Sequence, residues 1–522
     1  MKKLFINALI IIVTSVLFNT VGISFRVFIS NKIGTEGIGL FQLIMSVYMM
    51  AILFVVTGIN VAVTRLVAEE GGRGSFSISR ALIIKAISFS FVFSVPAFIF
   101  LFFGAEYIGT VWLGDQRTVF SLKLLAVGMP FAGVSACIKG YFYAISKLIR
   151  PTIAQAVELV IQISIIIHIL DYFMLGGEEY ACAAISVAIT IAELASCLYA
   201  LILYGFELRN NDKGISAIFY QTRILKKILY ISFPISISSL IRSSLRTLEN
   251  LMIPVGLVKY GYSRKLSLEK YGQLHGMVMP ILMFPSSIIL AFSALLIPEI
   301  SEANALNQKK RVDYSVTRAL QLTCIMSILT SGLFVAFSEK LGLAIYDSTE
   351  CGFLMKVLAP LIPLIYLDIV VDELLKGLNQ QVSALGYNIF DAVIKIILIY
   401  YVLPIKGIEG LIIVLYISNL FNLTLSLRRL LAVTQLRFMT MDWILKPILF
   451  IASSGFMVIF VLDITGISLF TNAIYILIGA LTVGFLYFIF LLELGCLTTN
   501  DFKWIRSFFK YTASNSSITL DK

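Results

Sequence analysis

A chain of 522 residues, 59% hydrophobic and only 14% charged, excludes an ordinary soluble domain, which carries about 45–50% apolar and about 25% charged residues. It reads as an all-α polytopic membrane protein, with no stretch long enough for a folded soluble domain of about 50 residues. The formal net charge of +11 would suggest a nucleic-acid partner in a soluble chain. Here no basic run is interleaved with aromatics, and the surplus fits basic residues that flank membrane spans on the cytoplasmic side.

Apolar windows of about 20 residues predict fourteen helical spans. They lie at 4–30, 38–64, 81–104, 119–145, 150–171, 180–206, 228–256, 273–298, 314–338, 353–375, 383–404, 408–428, 443–463 and 471–494. None alternates like the strands of a membrane barrel. The opening "MKKLFINALIIIVTSVLFNT" has the basic start of a signal peptide. Its apolar run is too long for one, and no small-x-small site closes it, so it is expected to persist as the first span. Basic residues concentrate in segments that an inside N-terminus places on the inner face, which predicts both termini on the cytoplasmic side of the plasma membrane. The loop "VKYGYSRKLSLEKYG", with Lys259, Arg264, Lys265 and Lys270, runs against that trend.

The chain repeats itself. "EGIGLFQLIMSVY", from Glu36, and "EKYGQLHGMVMPI", from Glu269, begin alike. Gly39 and Gly272, Glu69 and Glu302, Lys123 and Lys356, Pro130 and Pro363, and Glu158 and Asp391 all keep one offset of 233 positions. One offset held over so long a stretch predicts two six-helix halves in the same orientation. These are an N-terminal half at 1–206 and a C-terminal half at 228–431, joined by a cytoplasmic linker at 207–227. Two further helices at 432–494 and a cytoplasmic tail at 495–522 complete the chain. Parallel repeats facing one another across a central cleft are a transporter's organisation, worked by rocking one half against the other.

Charges inside spans cost roughly 2.5–3.5 kcal/mol on insertion scales, so they mark candidate sites. Arg26, Lys139, Glu158, Glu193, Arg242, Arg246, Glu249, Asp391 and Lys395 all fall in predicted spans. In "SSLIRSSLRTLENLMIP", Arg242, Arg246 and Glu249 are four and three apart and share one helix face. One carboxylate cannot neutralise two guanidiniums. With Arg26 in the first span, the first helices of the two halves carry a positive surplus that suits an anion, above all a pyrophosphate, which guanidiniums bind bidentately. Snorkelling of Arg26 and Arg242 from span ends is the alternative. Lys395 follows Asp391 by one turn, an expected ion pair. Glu158 stands near Gln162 and is a candidate for ion coupling or for a local hydrogen bond. Pro234, Pro254, Pro280, Pro285 and Pro298 crowd the seventh and eighth spans, where kinked helices line cavities. Six scattered cysteines and two histidines in no ligand spacing predict no metal site and no cofactor. Cys351 is expected in an outer loop. No outer loop is long, and no acidic pair of the DxD type appears, which argues against a membrane glycosyltransferase or any other enzyme.

Three blocks, "GTEGIGLFQLIMSVYMMAILFVVTGINVAVTRLVAEE", "IKGYFYAISKLIRPTIAQAVELV" and "YGQLHGMVMPILMFPSSIILAFSALLIPEISEA", resemble the stage V sporulation protein B family. That family is a branch of the multidrug/oligosaccharidyl-lipid/polysaccharide exporter superfamily. The resemblance spans most of residues 5–430 and weakens after it. It implies a plasma-membrane flippase similar to the lipid II flippases. The cargo would be an undecaprenyl-pyrophosphate-linked sugar moved from the inner to the outer leaflet for spore cortex peptidoglycan. The expected partners are that lipid-linked oligosaccharide, membrane lipids and cell-wall synthesis proteins, with a monomer able to work alone. Lipid II flippases use first-span arginines and a basic cavity, a role Arg26 fits. Arg242 and Arg246 match no family motif residue by residue. "KGYFYAISKLIRP" departs from the family with Tyr143 and Ile145 where polar residues are common. A lipid-linked polysaccharide repeat unit is the alternative cargo. A drug/cation antiporter is weaker, because its first half should hold a cavity carboxylate and the first span has only Arg26. A non-transporting scaffold would tolerate loss of the arginines.

Overall fold

The computed structural model describes residues 2–72, 76–210, 221–434, 436, 439–464 and 472–497. Among the described residues the regular structure is helical throughout, which satisfies backbone polar groups internally, as a membrane requires. Among the described residues, eleven helices are long and apolar enough to cross a bilayer, rather than fourteen separate ones. The difference has two causes. Helix α1 (Lys2–Gly72) continues through the expected first turn with only a break at Gly34, at φ 73°. A later helix, Gln381–Thr434, does the same at Gly407, at φ 57°. A helix of that length rises about 80 Å, far beyond a hydrocarbon core of about 30 Å, so each glycine stands where one crossing ends and the next begins. Positive φ is a conformation glycine adopts without steric cost. The expected span at 273–298 is interrupted instead. A π-helical stretch at Gly272–Val278 and a short turn at Met279–Met283 precede the break at Pro285.

The chain divides into two compact units, Lys32–Gly272 and Met1–Asn31 with Gln273–Lys522. These cuts differ from those of the sequence repeat: the first 31 residues belong with the C-terminal part, and the seventh predicted span belongs with the N-terminal part.

The first unit is built from α1 beyond Gly34, α2 (Phe76–Phe103), α3 (Thr118–Ala144), α4 (Ile149–Met174), α5 (Glu178–Asn210), α6 (Gln221–Tyr260) and α7 (Arg264–Tyr271). Helix α5 packs on both α3 and α4, and α2 on α3. Pro234 and Pro254 lie inside α6 without ending it. One core cluster joins Ile59, Leu66, Leu82, Ile138, Phe142, Tyr204 and Ile228. Gly39 and Gly272, one repeat apart in sequence, are back to back. A Cβ on Gly39 would overlap the Leu268 carbonyl, and one on Gly272 would overlap the Thr35 carbonyl and lie 2.7 Å from the Gly39 nitrogen. Just before α3, Arg117 is held by three carboxylates: Asp115 at 2.8 Å, Glu36 at 2.9 Å and Glu178 at 3.4 Å. The hydrogen bonds to Asp115, ahead of those to Glu36, raise its pKa above the usual arginine value.

The second unit holds α8 (Ser286–Ala305), α9 (Lys309–Tyr346), α10 (Thr349–Leu358), α11 (Ile362–Gly377), α12 (Gln381–Thr434), α13 (Lys446–Ile464) and α14 (Asn472–Glu493). The start of α1 is tied to it by Asn31, whose amide donates to the Ile345 carbonyl at 2.7 Å. The two helices without a repeat partner, α13 and α14, pack on α9 around Phe337, Leu462, Tyr475 and Tyr487. The Tyr487 hydroxyl donates to the Ile325 carbonyl and the Gln321 amide to the Cys496 carbonyl. Cys351 is not in an outer loop: it is buried in the first turn of α10, its N–H donating to Ser348 Oγ. All six cysteines are buried free thiols. Of the expected linker and tail, residues 211–220 and 498–522 lie outside the described residues.

Candidate functional site

The arginine stripe of α6 lies beside a seam of small polar residues. Ser232, Ser236, Ser239, Ser243 and Thr247 are buried, and their spacing of four, three, four and four keeps them on one helix face. Helix α1 lies against them. A Cβ on Gly58 would overlap Ser236 Oγ and the Ser232 carbonyl. Thr247 donates to the Ser46 carbonyl and the Asn250 amide to Ser46 Oγ, both at 2.9 Å. Small residues let membrane helices approach this closely, and hydrogen bonds across such seams average about 0.6 kcal/mol. At 100° per residue, Arg242 and Arg246 sit on the flank of the seam, both exposed, with Glu249 half-buried. The helix is thus fixed by one side while the adjoining side presents two guanidiniums. Arg26 is also exposed, on the part of α1 that belongs to the other compact unit.

Four helices of the first unit line a partly open polar cavity of about 240 Å³, with Asn60, Ser135, Lys139, Tyr143, Glu158 and Glu193 among its walls. Lys139 of α3 reaches Glu158 of α4 at 3.2 Å. Glu158 is therefore in an interhelical ion pair rather than a local bond to Gln162. Half-buried Glu193 of α5 accepts the hydroxyl of Tyr48 from α1. Its second carboxylate oxygen and the Ser135 hydroxyl are buried with no hydrogen-bond partner among the described residues. One ammonium thus faces two carboxylates.

Asp391, the repeat counterpart of Glu158, is buried in the second unit. It accepts the Ser418 hydroxyl and lies 3.5 Å from Lys395 one turn on. Both repeat positions carry a carboxylate paired with a lysine, taken from a neighbouring helix in one half and from the same helix in the other. Close to Asp391 in sequence, Asn388 donates to Asp372 at 2.7 Å, and Asn422 donates to Asp368 at 2.9 Å and to Asn388 at 3.0 Å. Sequence reasoning missed this network, although Asp368 and Asp372 lie one turn apart in a predicted span. It also missed Tyr48, which nothing local distinguishes from a core tyrosine.

Comparison with known proteins adds the lineage. A family model described as polysaccharide biosynthesis protein matches residues 4–304. Stage V sporulation protein B of Bacillus subtilis (strain 168) is 26% identical over 415 residues, 78% of this chain and 80% of that protein. The lipid II flippase MurJ of the same organism is 20% identical over 459 residues, 82% of this chain and 83% of its own. Among solved structures, a lipid II flippase MurJ in an inward closed conformation superposes with a TM-score of 0.66 at 15% identity, covering 92% of this chain and 98% of its own. An inward-facing multidrug resistance transporter of the same superfamily gives 0.64 at 14% identity, covering 82% and 99%. At such identities the structural likeness speaks for the fold. That fold is the one shared by the exporters, as the three sequence blocks led one to expect.

Proposed function

We propose that this chain, which belongs to the polysaccharide biosynthesis protein family, is a flippase for an undecaprenyl-pyrophosphate-linked cell-wall precursor, working by alternating access in the plasma membrane with both termini cytoplasmic. The cargo we favour is lipid II, for spore cortex peptidoglycan, because relatives named for sporulation and for lipid II flipping each align with more than three quarters of the chain. The observation that carries the reading is the exposed pair Arg242 and Arg246 on a helix anchored by its serine seam. Guanidiniums stay charged and bind phosphates bidentately. Arg26 is proposed as a third cationic contact, with Glu249 setting the local charge balance. Glu158 and the Asp391–Lys395 pair are proposed as ion-paired supports of the two halves.

The test measures lipid II on the outer face of cells depleted of their other flippases and supplied with this protein. The wild type restores outer-leaflet lipid II, whereas Arg242→Ala/Arg246→Ala, at unchanged protein level, does not. Restoration by both forms alike would reduce the stripe to structure and favour a scaffold. Failure of both would remove lipid II as cargo. A lipid-linked polysaccharide repeat unit then stands next, favoured by the description of the matching family. A drug/cation antiporter ranks lower: Glu158, its best cavity carboxylate, is already engaged by Lys139.

A further inference from the structure

The cavity between α1, α3, α4 and α5 has a chemistry different from that of the arginine stripe. We propose that it is a saccharide subsite, which receives one pyranose ring of the cargo while the pyrophosphate is held elsewhere. The inference rests on the flippase reading for the origin of the sugar.

Three observations support a sugar over the other ligand classes. The volume of about 240 Å³ equals about eight water molecules at about 30 Å³ each, suited to one ring with its substituents and too small for a whole lipid-linked oligosaccharide. The wall is mixed in the way hydroxyls need, since each hydroxyl both donates and accepts. Asn60, Lys139 and Gln155 supply donors, and Ser135, Glu158 and Glu193 supply acceptors. Tyr143 with Ile52 and Val56 forms an apolar wall for the C–H face of a pyranose.

The charge count argues against the alternatives. A pyrophosphate would find the one ammonium already paired with Glu158. An organic cation would meet an ammonium already 3.2 Å from Glu158 and would have to displace it. A neutral polyol disturbs neither.

The test uses the full chain in lipid nanodiscs, because maltoside detergents are themselves saccharides. Saturation-transfer NMR is recorded with N-acetylglucosamine, glucose, galactose and rhamnose at millimolar concentration. Binding of undecaprenyl pyrophosphate is measured in parallel. At least one sugar is expected to give saturation transfer in the wild type. Gln155→Ala and Ser135→Ala, which leave the Lys139–Glu158 pair intact, are expected to weaken it at least fivefold while binding of undecaprenyl pyrophosphate stays within twofold. The proposal is overturned if no sugar gives signal, if neither variant changes it, or if the variants weaken the pyrophosphate lipid equally. If the sugar signal behaves as expected and undecaprenyl pyrophosphate does not bind, the subsite stands and the flippase reading falls.

Discussion

At the residue scale, the partners of the intramembrane charges matter more than their number. Glu158, Asp391 and Glu193 each meet a side chain from elsewhere in the chain: Lys139, Ser418 and, at one carboxylate oxygen only, Tyr48. The Asp391–Lys395 pair could be read from sequence because one helical turn fixes its geometry. The Lys139–Glu158 pair could not, since its spacing of nineteen has no meaning until α3 and α4 are packed. Arg117 shows the same dependence outside the spans. It bridges Asp115, Glu36 and Glu178, with Lys265 a further 3.6 Å neighbour of Glu36. Removing the guanidinium leaves carboxylates facing one another without their shared cation, and salt screens such repulsion between partly exposed charges. Arg117→Ala should therefore lower the melting temperature of purified protein by several degrees at low salt and by clearly less at high salt. An equal loss at both salt concentrations would mean that Arg117 acts through packing alone.

At the element scale, contact between helices turns on small residues. Ser232, Ser236, Ser239 and Ser243 of α6 and Gly58 of α1 form one seam, and Gly39 and Gly272 form a second close crossing. Neither crossing has space for a methyl group. Overpacking of this kind costs typically about 1–3 kcal/mol. Gly58→Ala and Gly272→Ala are each expected to lower thermal stability by that amount, whereas Gly455→Ala, at a position with open space around it, should be neutral or slightly stabilising. Thermal melts of the three variants in one detergent check this; a Gly272→Ala variant as stable as the wild type would contradict the close crossing. The serine face is legible in the sequence as a periodicity of three and four. A row of serines flags a helix contact only when the surrounding solvent is lipid and apolar side chains no longer mark the interface.

At the scale of the whole molecule, the compact units exchange their first helices relative to the repeat. Residues 1–31 belong with 273–522, and α6 belongs with α1 through α5. Residues 1–220 alone would lack the helix that covers Ser46, Thr57 and Gly58, leaving those groups without their partners on α6. Expressed alone, this fragment is expected to be degraded. Co-expressed with 221–522, it should be recovered as a complex by affinity purification of either part. Stable accumulation of the first fragment by itself would argue that the repeat, not the compact unit, is the folding unit.

Composition and hydropathy by themselves determined the class of this protein, because a bilayer admits only long apolar helices from a chain this poor in charge. Sequence periodicity also determined the arginine stripe and the local ion pair of α12, since each depends on spacing along one helix. The breaks at Gly34 and Gly407 fall where turns were expected, and the structure shows each as a single non-helical residue joining two helices. Tertiary structure alone decided which charges meet, that α6 docks by its serines and leaves its arginines open, and that four helices line a mixed polar cavity. These features depend on contacts between helices far apart in the chain. In lipid such contacts are set by close packing and hydrogen bonding rather than by burial of apolar surface, so no hydrophobic pattern in the sequence records them.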